Sequence, residues 1–548
     1  MKIIFINILF FSLILNAQLN SPNFDKARNS INEGNFKRHL NYLGNDLFEG
    51  RGTGTIGGNL SAKYLALEYD RIGLQPIGRE NTFYQYVPIH GSRPLSGSKL
   101  EVHSDRIISL ELNKDYVLNK VGDQTFIPNP IDVVFAGYGI IAPEYDYNDY
   151  YDFDVEGKIV AVLEGEPFSE NENYFNGVFP TIYSSSDSKE RIALSRGAKG
   201  IILIPNLFEE PNFSWEKVKQ LFSFEKLSLA YSVTSQLSLI LNPINCEIIF
   251  SATDYSYDDI LQMHKENRIQ SFPLNIKMNF KGEFKRRDFL APNIIGMIKG
   301  TDKKLADSYL IISAHYDHLG IGSSINQDSI YNGVFDNAAG VSALLEIAEA
   351  FTKLTVKPKR SIIFMLLTGE EMGLLGSKYY VDHPIVPLYK TIANINIDGV
   401  ASFDEFNSVV GFGTEFSTLE NFLINSASQE NLNVTDVPSI FMKSESFRMS
   451  DQITFASVGI PSILVMDGID YKNLTKEEGL EKFIYFSDNI YHTPFDDLTQ
   501  QLNYDAAVQH IKLLFRLSFN IADSIEEPEW NSGSPFINAR LRTIAEKK

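Results

Sequence analysis

The sequence predicts an α/β protein: a mixed, mostly parallel sheet sandwiched by helices, interrupted by a separate β-rich domain. Three observations predict it. First, the C-terminal half holds strand-length runs that are apolar throughout or nearly so: "YLIISA" (309–314), "IIFMLL" (362–367), "IANINI" (392–397) and "PSILVM" (461–466). Such runs, without alternation, mark strands covered on both faces, as in parallel sheets packed between helices. Second, "GVSALLEIAEAFTKL" (340–354) lies between the first two runs and carries Val341, Leu344, Leu345, Ala348 and Phe351 on one helical face. Third, residues 121–286 change character. Short β-like runs ("IDVVFAGYGI", "KIVAVLEG", "GIILIP", "EIIFSA") are joined by polar, aromatic connections, with one helical stretch, "SKERIALSRGAKG".

Taken in order, the elements divide the 548 residues into four parts: 1–17, 18–120, 121–286 and 287–548. Lys2 followed by a largely apolar run to Leu15 and a small residue at Ala17 has the form of a secretory leader, too short to span a bilayer comfortably. A polar segment, "QLNSPNFDK", follows at once, and no second long apolar run appears, so the expectation is an exported protein without a transmembrane segment. Next come helical spacings at Leu40, Leu43 and Leu47 and at Ala62, Leu65 and Tyr69. Between them lies the glycine-rich "FEGRGTGTIGG", which lacks the Gly-Lys-Ser/Thr of a phosphate loop. A formal net charge of −20 argues against nucleic acid or an anionic membrane as partner. The single cysteine, Cys246, allows neither an internal disulfide nor a thiolate cluster, so any metal must be held by His, Asp and Glu.

Ligands of open α/β sheets bind at the carboxyl ends of the strands. There this chain places His315 and Asp317 after the first run, Glu370 and Glu371 after the second, and Asp398 after the third. Asp336 stands just before the helix, and His492 lies in a later loop. Each alone is a capping aspartate, a surface glutamate or a core histidine; together at one end of one sheet they point to a two-metal hydrolase. Two divalent ions need a handful of ligands including a bridging carboxylate, and histidine with carboxylate favours zinc. A general base must stand beside the attacking water without ligating. That accounts for the adjacent glutamates of "TGEEMGLLGS": one ligates and its neighbour takes the proton.

The segments "SAHYDHLG", "FDNAAG", "TGEEMGLLGS", "NIDGV", "SDQITFASVGIPS" and "YHTPFDD", in this order, resemble the zinc aminopeptidases of peptidase family M28. "LFEGRGTGTIGGNLSAKYLA" resembles the start of that family's catalytic domain. Residues 121–286 resemble the protease-associated (PA) domain that many members carry as an insertion. The resemblance implies the zinc exopeptidase fold, with 18–120 and 287–548 forming the peptidase domain, a peptide substrate, and two zinc ions per chain. It implies that His315, Asp398, Glu371 and His492 each ligate one zinc and that Asp336 bridges both. The family pattern pairs His315 with Asp398 and Glu371 with His492, the sharing being a matter of geometry. Glu370 would be the general base, and Asp317 would hold the second ring nitrogen of His315. His318 would pack or support rather than ligate. Gln452 stands where relatives read histidine after Ser-Asp, Tyr471 and Tyr491 are candidates to stabilise the oxyanion, and a cis peptide bond is implied at Asp336–Asn337.

The function expected is removal of N-terminal residues from peptides. Three alternatives share the scaffold: a carboxypeptidase, which needs a basic pocket, Arg448 being the nearest candidate; a glutaminyl cyclase with one zinc; and a non-catalytic binding protein that has lost ligands. Bound zinc per chain separates the last two from the peptidase.

Overall fold

The computed structural model describes residues 22–120, 125–171, 173–177, 180–233, 236–438 and 447–547; the leader expected at 1–17 lies outside them. The chain forms two compact units, one built from residues up to Val87 and from Leu290 onward, the other spanning Pro88–Phe289.

The first unit is organised by a mixed sheet. Seven of its ten strands are β1 (Phe284–Ile298), β2 (Tyr309–His315), β3 (Ser361–Leu367), β4 (Thr391–Asn396), β5 (Ser408–Phe412), β6 (Asn433–Val434) and β7 (Ser462–Asp467), in the spatial order β1-β3-β2-β4-β7-β5-β6. β3, β2, β4 and β7 are mutually parallel, while β1 and β5 join antiparallel on either side. The unbroken apolar runs have their cause in burial on both faces. Leu310, Ile312, Ile362, Phe364 and Leu366 pack into one core with residues of helices α1 (Glu33–Leu43), α2 (Ile56–Ile72), α3 (Gly340–Lys353) and α4 (Tyr504–Asp523). Their sequence neighbours Ile311, Ile363, Met365 and Leu367 pack into another with Tyr380 and Phe455. Among the described residues, no helix is long and apolar enough to cross a membrane.

Register sets the site. His315 pairs with Leu367, so the chain leaves β3 level with that histidine and turns through Thr368 and Gly369 into Glu370 and Glu371. Ser313 pairs with Asn396, so two residues further on His315 stands level with Asp398. Three strand ends thus bring their acids and histidine to one edge.

The second unit carries an eight-stranded sheet in the order Ile107–Leu110, Lys99–His103, Phe272–Lys281, Phe126–Phe135, Ile159–Leu163, Gly200–Ile204, Leu237–Leu241, Tyr116–Lys120. Two of the sequence expectations differ here. The unit begins at Pro88 rather than 121, because the strands at Lys99–His103 and Tyr116–Lys120 hydrogen-bond within its sheet. "EIIFSA" is no strand: Cys246–Phe250 is helical. Asn242 accepts from the Ile244 amide and Pro243 presets φ at the start of the preceding helical turn, so the chain enters this segment already coiled. The strand is the preceding "LSLIL", buried at every position.

Candidate metal centre

Asp336 is 6% exposed and sits in the turn that opens α3, where the Asp336–Asn337 peptide bond is cis. Its two carboxylate oxygens face in two directions. Oδ1 lies 3.2 Å from His315 Nε2, which is also 3.1 Å from Asp398 Oδ1. Oδ2 lies 3.3 Å from His492 Nε2, which is also 3.1 Å from Glu371 Oε2. The structure therefore gathers two pairs, His315 with Asp398 and His492 with Glu371, on either side of one aspartate. Ligand atoms of His315, Asp336 and Glu371 fall within 4.8 Å of one another.

The spacing, with His315 Nε2 also within hydrogen-bond distance of Asp398, suits a cation site. Charge-assisted N–H···O bonds run at about 2.7–2.9 Å. Two donors each held about 2.0–2.1 Å from a tetrahedral zinc stand about 3.3 Å apart. The four contacts around Asp336, at 3.1–3.3 Å, match the second figure. His492 Nε2, although it faces two carboxylate oxygens, forms no hydrogen bond with either and is buried. A nitrogen and oxygens that converge without bonding one another suit a shared cation, so the donor set fits zinc.

Other side chains fix these donors. His315 Nδ1 lies 3.2 Å from the main-chain carbonyl of Asp317, not bonded to its carboxylate, whose Oδ1 is 4.0 Å away. Here the structure differs from the sequence expectation. The carboxylate is drawn off by two donors: the Thr53 hydroxyl to Oδ2 at 3.0 Å and the Glu370 amide to Oδ1 at 3.1 Å. Asp317 thus ties the glycine-rich loop to the turn that carries both glutamates. His318 Nδ1 meets Glu371 Oε1 at 2.5 Å, so that carboxylate stands between two histidines. Gln452 is buried; its Oε1 accepts from Asn396 Nδ2 at 2.8 Å and its Nε2 donates to the Phe447 carbonyl at 3.0 Å. The Tyr491 ring stacks on His492, with centroids 3.8 Å apart, whereas the Tyr471 hydroxyl is engaged by Asp467 at 2.9 Å.

The titration of these groups reflects crowded acids in a dry site. Burial opposes charge on His492, but Glu371 and Asp336 outweigh it and push it up to about 10; burial likewise opposes charge on His315, yet Glu370 and Asp398 hold it well above the usual imidazole range. Burial, with Asp398, Glu371 and Asp451 against the opposing His315, raises Glu370 well above the carboxylate range. Burial drives Asp451 up to about 7 against the Ser377 hydroxyl that donates to it at 2.6 Å. Against burial and Asp336, His492 and His318 hold the adjacent Glu371 below the carboxylate range, so the two neighbouring glutamates are pushed toward opposite protonation states, the mark of a candidate acid–base site.

The profile of peptidase family M28 matches residues 293–518, which contain the whole donor set. Residues 293–518 are thus similar to the catalytic region of that family. The chain is 28% identical over 264 residues to the "probable leucine aminopeptidase 2" of Aspergillus oryzae, covering 46% of this chain and 49% of that one. It is 28% identical over 199 residues to the "Leupeptin-inactivating enzyme 1" of Streptomyces exfoliatus, covering 35% and 41%. The chain thus spans about half the length, or less, of these curated relatives. The aminopeptidase from Aneurinibacillus sp. strain AM-1 shares the fold of this chain, with a TM-score of 0.55 at 18% identity over 93% of this chain and 100% of that one.

Sequence reasoning missed Thr53, Arg51 and Asp496, which support the site from loops. The signal for two of them was present in "FEGRGTGTIGG", a loop whose Thr and Arg had no helical or strand role to explain them.

Proposed function

We propose that this protein is an exported exopeptidase of the M28 family that removes N-terminal residues from peptides with two co-catalytic zinc ions. The observation that carries the proposal is the two-sided placement of Asp336, one oxygen toward His315 and Asp398 and the other toward His492 and Glu371. These five residues would hold the ions, with Asp336 shared. When bound, the ions would supply Lewis-acid polarisation of the scissile carbonyl, acidify the attacking water and anchor the free amine of the substrate. Glu370 would take the proton from that water and hand it to the leaving amine nitrogen as the C–N bond breaks. Its dry surroundings raise its hold on a proton, which a base that must carry the proton between two atoms requires. His318 would orient the Glu371 carboxylate, and Asp317, through the Glu370 amide, would fix the backbone of both glutamates.

The Pro88–Phe289 unit would be the PA domain and would select substrates or gate access. Among its described residues, no group of three His, Cys, Asp or Glu side chains converges as metal ligands do. The leader expected at residues 1–17 would accord with export, and a single cysteine, buried in that unit, with a fold free of internal disulfides.

The test pairs metal counting with a panel of aminoacyl chromogenic substrates and their N-acetylated forms. Two zinc ions per chain and hydrolysis confined to free amines are expected. One ion with cyclisation of N-terminal glutamine, no ion at all, or release of C-terminal residues from blocked peptides would each replace the proposal with one of its rivals.

A further inference from the structure

The segment Asn332–Asp336 has its backbone held from two sides by two fully buried, oppositely charged side chains. Arg51, 0% exposed, donates to the carbonyls of Asn332 at 2.5 Å and Gly333 at 2.7 Å, and also to those of Tyr316 at 2.9 Å and Leu43 at 3.1 Å. Asp496, also 0% exposed, accepts the amides of Phe335 at 2.8 Å and Asp336 at 3.0 Å, while its own carbonyl accepts the amide of Val334 at 3.0 Å. Among the described residues, Arg51 has no carboxylate within ion-pair distance; its direct partners are neutral carbonyls. A buried guanidinium and a buried carboxylate are each costly unless compensated. Here the compensation runs through the peptide groups between them, carbonyl ends toward the cation and N–H ends toward the anion. Asp496 is also the strongest of the acids that favour the charge on Arg51 against its burial.

We infer that Arg51 and Asp496 act as one charge clamp across Asn332–Asp336 and are positioning residues that aim the Asp336 carboxylate at both halves of the donor set. The clamp joins three segments that lie next to donors: Arg51 comes from the glycine-rich loop, Tyr316 follows His315, and Asp496 lies four residues beyond His492. It rests on the proposal that Asp336 bridges two zinc ions.

The experiment is a double-mutant cycle in the full chain: Arg51→Met, Asp496→Asn and both together, with Arg360→Met as control. Arg360 is a second buried arginine bonded to main-chain carbonyls and to Glu527, none of them among the donors of the candidate site. Zinc affinity is measured by competition with a chromophoric chelator, folding by far-UV circular dichroism, and ligand geometry by the visible spectrum of the cobalt(II)-substituted protein. Each single change should weaken zinc by about 10–100-fold and alter the cobalt spectrum. The double variant should be no worse than the weaker single, because removing both charges leaves neither unpaired. Arg360→Met should lower the melting temperature and leave zinc affinity alone. Wild-type zinc affinity in folded Arg51→Met and Asp496→Asn, or losses that multiply in the double variant, would overturn the clamp. If Arg51→Met fails to fold, the isosteric Asp496→Asn decides alone. Should the wild-type protein bind no zinc, the proposed function fails. The clamp is then decided by the same cycle in melting temperature with chelator present, where additivity would refute it.

Discussion

Changing Glu370 and Glu371 one at a time to glutamine should separate proton transfer from metal holding. The two residues share a turn, a burial and a backbone anchored by the Glu370 amide on Asp317, so sterics nearly cancel in the comparison. Glu371 touches both His492 and His318 through its two oxygens. Glutamine there places an NH₂ against an imidazole nitrogen and removes a ligand charge, so zinc affinity should fall by about 100-fold or more, beyond the range seen when supporting groups are changed. Glutamine at 370 keeps the volume and the main-chain bond to Asp317 but cannot accept a proton. Zinc should stay at two per chain, KM should change little, and kcat should drop about 10²–10⁴-fold, the usual share of general-base catalysis. At about 1.36 kcal/mol per decade, that is roughly 3–5 kcal/mol of barrier. Metal analysis and initial rates on an aminoacyl chromogenic substrate give both readouts. Near-normal kcat in Glu370→Gln, or loss of zinc from it as from Glu371→Gln, would refute the assignment of roles.

Thr53→Val should destabilise the chelated protein by about 1.5–3 kcal/mol in denaturant melts, since it strips a donor from the buried Asp317 carboxylate. Gly57→Ala would set a Cβ 1.7 Å from the Phe48 carbonyl oxygen, so the glycine-rich loop must shift; a loss of about 1–3 kcal/mol and a weaker zinc affinity are expected. Removing zinc with a chelator should lower stability by about 2.7 kcal/mol for each ion previously present at a hundred times its Kd, read as a fall in melting temperature. His510 predicts the acid limb: burial pushes it down to about 4 against the Val465 main chain, while its Nδ1 accepts the Ala401 amide at 3.0 Å. Its folded pKa lies below the unfolded value of about 6.5, so its contribution is intact above pH 6.5 and is lost as pH falls toward 4, by roughly 3 kcal/mol in all. His510→Asn, which keeps an acceptor but takes up no proton, should flatten that part of the melting curve.

The sheet and the donor set were legible because their signals are local and strong. Strands covered on both faces are mostly apolar, and β2, β3 and β4 are so apart from a few buried polar side chains such as Ser313, Asn394 and Asn396; their ends then point to His315, Glu370, Glu371 and Asp398 by position alone. What escaped was carried by contacts between distant segments. The boundary at Pro88 depends on Lys99–His103 pairing with Phe272–Lys281, a partnership no local pattern announces. "EIIFSA" has the composition of a strand, and the Asn242–Pro243 start upstream overrides it. Asp317 looked like the partner of His315 because carboxylates commonly orient ligating histidines. The chain does that with a carbonyl and sends the carboxylate to Thr53, some 264 residues away in sequence.

The same division runs through the chemistry. Residue types point to a class of site, because histidine together with carboxylate favours zinc. The distances decide whether those residues form salt bridges or wait for cations. His315 and His492 stand 3.1–3.3 Å from their acids, and those acids, with Glu370 beside His315, drive both toward protonation against burial. A site that recruits protons onto its histidines while keeping Asp336 and Glu371 ionised is electrostatically short of positive charge. Divalent ions, as proposed, would meet that shortage at the spacing the donors already keep, and their entry would displace the protons. Arg51 contributes a further positive charge from beneath, bonded only to carbonyls and so leaving every ligand oxygen available.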